Sequence, residues 1–244
     1  MVRLALVVIF ATASTLFFNW AAASGKFGKT VGEISAKYST SVTPSDYAFS
    51  IWALIYAGLI AFSLYQALPR NLERLDSIKW FYLLTCALNV LWLYAWTKER
   101  IIESFITILF LLVLLALINA RLKKTENTSD YWLVKFPFGI YFGWVTAATV
   151  LNFAVFLVYF GIEVKSGSTA IFLIALTTLL AVIVCWKMRN YFYPLPIAWA
   201  LGAIAVAQSG SETLIVVSSV VGVIICLIAS LSFVLQMPSM RENL

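Results

Sequence analysis

Residues 136–156 read FPFGIYFGWVTAATVLNFAVF, twenty-one residues without a single charge. A bilayer's hydrocarbon core is about 30 Å thick, and about 20 helical residues at about 1.5 Å each cross it. The run is too long and too evenly apolar for the alternating strands of a membrane barrel. It reads as a membrane helix that must also place Tyr141, Trp144 and Asn152.

Outward from this stretch the pattern repeats. Eight apolar spans are predicted, at residues 3–23, 46–67, 79–97, 101–120, 132–160, 169–187, 191–208 and 213–236. Of the 244 residues, 62% are hydrophobic and 11% charged, with a mean hydropathy of +0.94. A soluble domain of this size could not cover so much apolar surface. The fold class is an all-α integral membrane protein. The fifth span exceeds one untilted crossing, so part of it should project into the interface. The first connection, residues 24–45, is Gly- and Ser-rich, whereas the second (ALPRNLERLDSIK) and fourth (RLKKTENTSD) are charged surface loops.

The formal charge of +6 and pI near 9.2 come from Lys and Arg in short loops beside apolar spans. There they set topology and meet anionic headgroups, so the bilayer is the expected partner and nucleic acid is not. With eight crossings, eleven of the seventeen Lys and Arg fall on the side of both termini and six on the other. That bias places both termini in the cytoplasm, the membrane being the plasma or inner membrane. Residues 1–23 share Arg3, an apolar run and an Ala-Ala-Ala-Ser end with signal peptides. The run is long for a signal sequence, so a retained first helix is expected.

Cys86, Cys185 and Cys226 lie in apolar spans far apart in sequence, and read as small buried hydrophobes. The chain has no histidine. That removes the commonest proton shuttle and metal ligand, and no catalytic residue, metal or required cofactor is assigned.

Three helical faces combine aromatic and polar groups. In TPSDYAFSIWALIYAG, residues 43–58, Thr43 fits an N-cap, Pro44 the first helical position and Asp46 the third. Phe49, Trp52 and Tyr56 then share a face at i, i+3, i+7. Phe49 suits an interfacial belt, whereas Tyr56 lies about 15 Å into the helix. In CALNVLWLYAW, Thr85, Asn89, Trp92 and Trp96 form one stripe. Asn89 sits near mid-membrane, where a bare amide is costly, so it must face protein or a cavity. An interhelical hydrogen bond with ordinary packing would also satisfy it. In the opening stretch, Tyr141, Trp144, Ala148 and Asn152 share a face, while Gly143, Ala147 and Ala148 admit a neighbouring backbone or a flat ligand.

Taken together, these blocks resemble the tryptophan-rich sensory protein or translocator protein family (TspO/MBR). TPSDYAFSIWALIY is similar to that family's Pro-rich second-helix start with its aromatics and Trp. Asn89 and Trp92 match its third-helix Asn-x-x-Trp. Trp144-Val-Thr-Ala-Ala-Thr-Val-Leu-Asn152 follows the order and spacing of its fifth helix. Three departures stand out. Ser45 and Tyr47 stand near the places of a second Pro and a Trp, Pro137 lies about three residues further upstream, and three spans follow the family's five. The resemblance implies a five-helix bundle over residues 1–160, with a three-helix extension over 161–244. It also implies a pocket, open to the first loop, that binds porphyrins, related tetrapyrroles or sterols. Carried over by position, Trp52, Tyr56, Asn89, Trp92, Trp144, Ala148 and Asn152 would line it. Trp52 and Trp144 would be the counterparts of residues implicated, in some bacterial relatives, in light-dependent porphyrin breakdown.

A sensor or carrier of a hydrophobic ligand is the reading these features favour. The alternatives are a secondary transporter, which would ordinarily need an ionisable group or broken helix at mid-membrane, and a non-catalytic subunit of a membrane complex. A cholesterol-type pattern, Leu157-x-Tyr159-x5-Lys165, is of a kind that apolar chains meet by chance. In the last three spans Pro194 and Pro196 start a helix, Trp199 packs or lies at the interface, and Gly202 and Gly222 suit close contacts. These spans could form a homodimer, shield the bundle or extend a path.

Overall fold

The structure, a computed structural model, describes residues 2–124, 127–162 and 167–236. Lys165 of the cholesterol-type pattern lies outside them. Helix α1 (Val2–Ala23) is followed by a connection that holds the short α2 (Val31–Lys37). A 3-10 turn, Asp46–Ser50, leads into α3 (Ile51–Tyr65), and the antiparallel α4 (Asp76–Thr97) and α5 (Ile101–Arg121) come next. One helical turn, α6 (Thr128–Asp130), and a π-helical turn, Tyr131–Lys135, run directly into α7 (Phe136–Tyr159). Helices α8 (Gly167–Met188), α9 (Pro194–Ala207) and α10 (Thr213–Gln236) complete the described chain.

Among the described residues, seven helical segments are long and apolar enough to cross a membrane. The eighth expected span is α9, with 14 residues, about 21 Å of helix. Its first turn is set by Pro194 and Pro196, and the residues before it stay in a turn. Hydrogen bonds to the rest of the protein hold it before its start and within its last two turns. The Asn190 amide donates to Asn119 Oδ1 at 2.8 Å and to the Lys135 carbonyl at 3.1 Å. Near the other end, Ser45 N–H donates to the Ala203 carbonyl at 3.1 Å. A helix held this way need not reach both interfaces itself.

The fifth span runs unbroken over Thr128–Tyr159, 32 residues, with Trp132 exposed on its projecting first part. Pro137 cannot donate to the Leu133 carbonyl, and the π-helical turn just before α7 absorbs that loss. Helix α7 is the central element, packed on α3, α5, α8 and α9. Two glycines permit this. A Cβ on Gly139 would lie 2.5 Å from the Asn190 side chain, and one on Gly143 would lie 2.1 Å from the Tyr193 carbonyl oxygen. In lipid, where burial of apolar surface gives little drive, such close approach and interhelical hydrogen bonds hold helices together.

The expected cap of the second span is replaced. Thr43 does not cap it, because its hydroxyl accepts from Thr40 N–H at 2.8 Å in a turn of its own. Asp46 opens a 3-10 turn whose N-cap, Ser45, makes no side-chain bond. The reason is tertiary: with Ser45 N–H committed to Ala203 on α9, the chain reaches α3 by a tighter turn. The cap that does form lies upstream, where Thr30 and Glu33 make a reciprocal capping box on α2.

Candidate functional site

The three aromatic faces converge between α3, α4 and α7. Trp52 stacks on Tyr56, with ring centroids 5.4 Å apart, and meets Tyr141 and Trp144 edge-on at 6.2 Å each. Phe49 meets Trp144 edge-on at 6.2 Å, and Trp92 stacks on Trp96 at 5.8 Å. Two spaces adjoin this cluster. The inner one is a chamber of about 50 Å³ under the first connection. Trp52, Trp92, Trp96, Trp144, Ala147, Ala148 and Asn152 line it, with Val31, Ser35, Val42 and Pro44 above. The outer one is an open cleft of about 720 Å³ bounded by Leu16, Asn19 and Trp20 of α1, residues 30–33 and Ala36 of the first connection, Asp46, Phe49, Trp52 and Tyr56, and Leu93 of α4. Val31, Phe49 and Trp52 line both and stand between them.

Hydrogen bonds fix most of the polar groups. Asn152 Oδ1 accepts from Trp92 Nε1 at 3.2 Å and from Ser104 Oγ at 2.9 Å, while its amide returns to the Ala148 carbonyl. Asn89 accepts from Asn19 Nδ2 at 2.7 Å and donates to the Tyr141 hydroxyl at 3.1 Å. Asn19 Oδ1 accepts from the Tyr56 hydroxyl at 2.6 Å. Two groups at the chamber have no partner. Trp144 Nε1 and Ser35 Oγ are buried without a hydrogen bond, on residues 4% and 2% exposed. A buried donor left unpaired costs about 1–3 kcal/mol.

The roof over the chamber is latched from the opposite turn. Glu99, at a left-handed φ of 56° between α4 and α5, receives Lys29 at 2.6 Å, Lys37, and the Tyr38 hydroxyl at 3.1 Å. Hydrogen bonds from the two lysines hold its carboxyl at about 2, well below the usual carboxylate range. Trp96 Nε1 adds a bond to the Val31 carbonyl at 3.1 Å. Nearby Lys26 lies 3.9 Å from the centroid of the Trp20 ring at the cleft.

A multi-helix bundle with this aromatic chamber invites comparison with known families, and a family model described as TSPO-like protein matches residues 5–232. The chain belongs to the TSPO-like protein family. The comparisons with curated proteins and with solved structures gave no match. It is a multi-pass membrane protein, and the TSPO-like match runs through residue 160, covering bundle and extension alike. The chamber likewise draws on both, because Leu173, Ile174 and Thr177 of α8 and Ala200, Leu201 and Ile204 of α9 form one wall.

Within this TSPO-like bundle, Trp52, Trp92, Trp144, Ala148 and Asn152 line the chamber, and Trp52 and Tyr56 line the cleft. Asn89 lines neither and ties α1 to α4 and α7. Phe49, expected at an interfacial belt, stands between chamber and cleft. Of the small residues on α7, Gly143 admits the α9 backbone, while Ala147 and Ala148 face the chamber. Trp199 anchors α9 to the 3-10 turn, its indole donating to the Ala48 carbonyl at 3.0 Å. Among the described residues, no group of His, Cys, Asp and Glu could hold a metal ion.

Sequence reasoning passed over Asn19, Ser104 and Ser35. Asn19 carried the signal already applied to Asn89, an amide inside an apolar span. The α8 and α9 wall had no comparable signal, since its aliphatic residues are those of any membrane helix.

Proposed function

We propose that this TSPO-like protein binds a flat, hydrophobic ligand, porphyrin- or tetrapyrrole-like or sterol-like, at the aromatic site between α1, α3, α4 and α7, and acts as its sensor or carrier. The observation that carries this reading is the unpaired Trp144 indole N–H in a chamber walled by Trp52, Trp92 and Ala148. The asparagine amides around it, Asn19, Asn89 and Asn152, are all hydrogen-bonded, and packing gains nothing from that orphan. A ligand atom that accepts the hydrogen bond would remove its cost. Indole faces suit a conjugated ring, which needs few polar contacts. The cleft, of about 720 Å³, is the space that takes a macrocycle. One edge then reaches the chamber past Phe49 and Trp52, and the latched first connection closes over it. By the charge bias of its loops, the protein sits with both termini in the cytoplasm.

The test is titration of the purified protein in nanodiscs with protoporphyrin, read as quenching of tryptophan emission against empty discs. Saturable quenching at micromolar or lower concentration is expected, with affinity falling at least tenfold in Trp144→Ala and in Trp52→Ala. Saturable binding unchanged in both variants would remove the proposed pocket.

A further inference from the structure

At the end of α4 opposite Glu99, the two charged connections of the sequence come together. Arg74 and Ser77 from the second, with Arg121, Lys124 and Asp130 from the fourth, wall a recess of about 100 Å³. Arg74 is locked: it pairs with Asp130, one contact being Nη2 to Oδ1 at 2.7 Å, and donates to Asn71 Oδ1 at 2.7 Å. The Asp130 charge is thereby matched inside the protein, with the Tyr65 hydroxyl donating to it at 2.9 Å. Asp76, in the same connection, is paired with the buried Lys79 at 2.8 Å, and Glu73 is exposed.

Among the described residues that line the recess, Arg121 and Lys124 are the cations outside these ion pairs. The Arg121 guanidinium is held over the Phe81 ring, 4.2 Å from its centroid, and donates to the Leu117 carbonyl at 3.0 Å. Ser77 stands in the first turn of α4, where the backbone N–H groups and the helix dipole also favour an anion. Trp80 and Trp132, 64% and 53% exposed, flank this end in the manner of the aromatic belt that marks headgroup depth.

We propose that this recess binds the phosphate of an anionic ester, with Arg121 and Lys124 as its charge partners and Ser77 as a neutral donor. Its volume of about 100 Å³ has room for one phosphate group. Its depth makes the headgroup of an anionic phospholipid the first source to test, and a soluble phosphate ester the second. The proposal is independent of the aromatic site.

The full chain is purified from discs of phosphatidylcholine with a minority of phosphatidylglycerol, stripped stepwise with detergent, and its retained lipid counted by native mass spectrometry. The wild type keeps a phosphatidylglycerol that the Arg121→Gln/Lys124→Gln variant loses, with retention lower by about tenfold. A Lys98→Gln/Arg100→Gln variant, altered at the other end of α4, retains it as the wild type does. Thermal melting confirms that each variant is folded. Glycerol 3-phosphate serves as the second arm: binding to the wild type and not to the Arg121/Lys124 variant assigns the recess to soluble phosphate esters. Equal lipid retention by all three proteins, with no binding of glycerol 3-phosphate, overturns the proposal.

Discussion

The Trp92 indole on α4 and the Asn152 carboxamide on α7 are joined at 3.2 Å, and Ser104 on α5 donates to the same carboxamide oxygen at 2.9 Å. One amide thus closes a three-helix contact and sets the Trp92 ring against the chamber. An acceptor that serves two donors in a dry environment leaves both unpaired when removed. Asn152→Ala is expected to destabilise the fold by about 1–2 kcal/mol. Denaturation in mixed detergent micelles reads this directly. Ser104→Ala, which removes only one of the two donors, should cost less.

The Glu99 latch makes a prediction with a definite sign in pH. Its carboxyl is depressed to about 2 in the folded protein, against an ordinary value of 4.5. The stabilisation is therefore complete above about 4.5 and is lost as pH falls from there towards 2. It does not change between pH 6 and 8. Protection of amides 30–38 against hydrogen exchange, taken relative to their intrinsic rates at each pH, should be high and flat across the neutral range and should fall on acidification below about 4.5. Glu99→Gln should show the low protection at every pH. High salt should loosen the wild type part of the way, because Lys29 and Lys37 are about half exposed.

Phe49 separates chamber from cleft, and its removal should join them. In Phe49→Ala, a macrocyclic ligand meets no ring at the boundary, so stopped-flow quenching by protoporphyrin should show an association rate several-fold above the wild type. An unchanged rate, with binding otherwise intact, would place the slow step elsewhere, with the latched first connection the next to examine.

How far the sequence alone reaches is visible in single residues. Span positions were legible because charge-free runs of helical length have one physical solution in a bilayer. The aromatic faces were legible as well, because helical spacing places Trp52 beside Tyr56 and Trp144 in line with Asn152. Partners were not. Nothing in the neighbourhood of Asn89 says that its amide is taken by Asn19 on α1, or that Asn152 serves Trp92 and Ser104. Nor does local sequence show that Ser45 N–H bonds Ala203, which is why the expected Thr43 cap fails. The capping box at Thr30 and Glu33 was written in TVGE, inside a connection whose Gly and Ser content drew the reading towards a loop. The shortness of α9 was hidden for a related reason. Hydropathy counts apolar residues, and the aromatic turn at 191–193 carries no charge to separate it from the helix after it.

The contact between α7 and α9 gives the sharpest mutational contrast, because two glycines face opposite circumstances. A Cβ at Gly143 would stand 2.1 Å from the Tyr193 carbonyl and 2.6 Å from Pro196 Cγ. The first is backbone and the second a rigid ring, so neither can step aside without moving the start of α9. Gly143→Ala should cost about 1–3 kcal/mol, the usual range for overpacking a close contact. A Cβ at Gly202, in α9 itself, would meet nothing nearer than Val223 Cγ2 at 4.0 Å, an ordinary contact. Gly202→Ala should therefore be neutral or raise stability by up to about 1 kcal/mol, since alanine is the better helix former. Opposite signs in parallel thermal melts are the expected result. Equal and small changes in both would mean that α9 does not press on α7 as closely as the 2.1 Å approach requires.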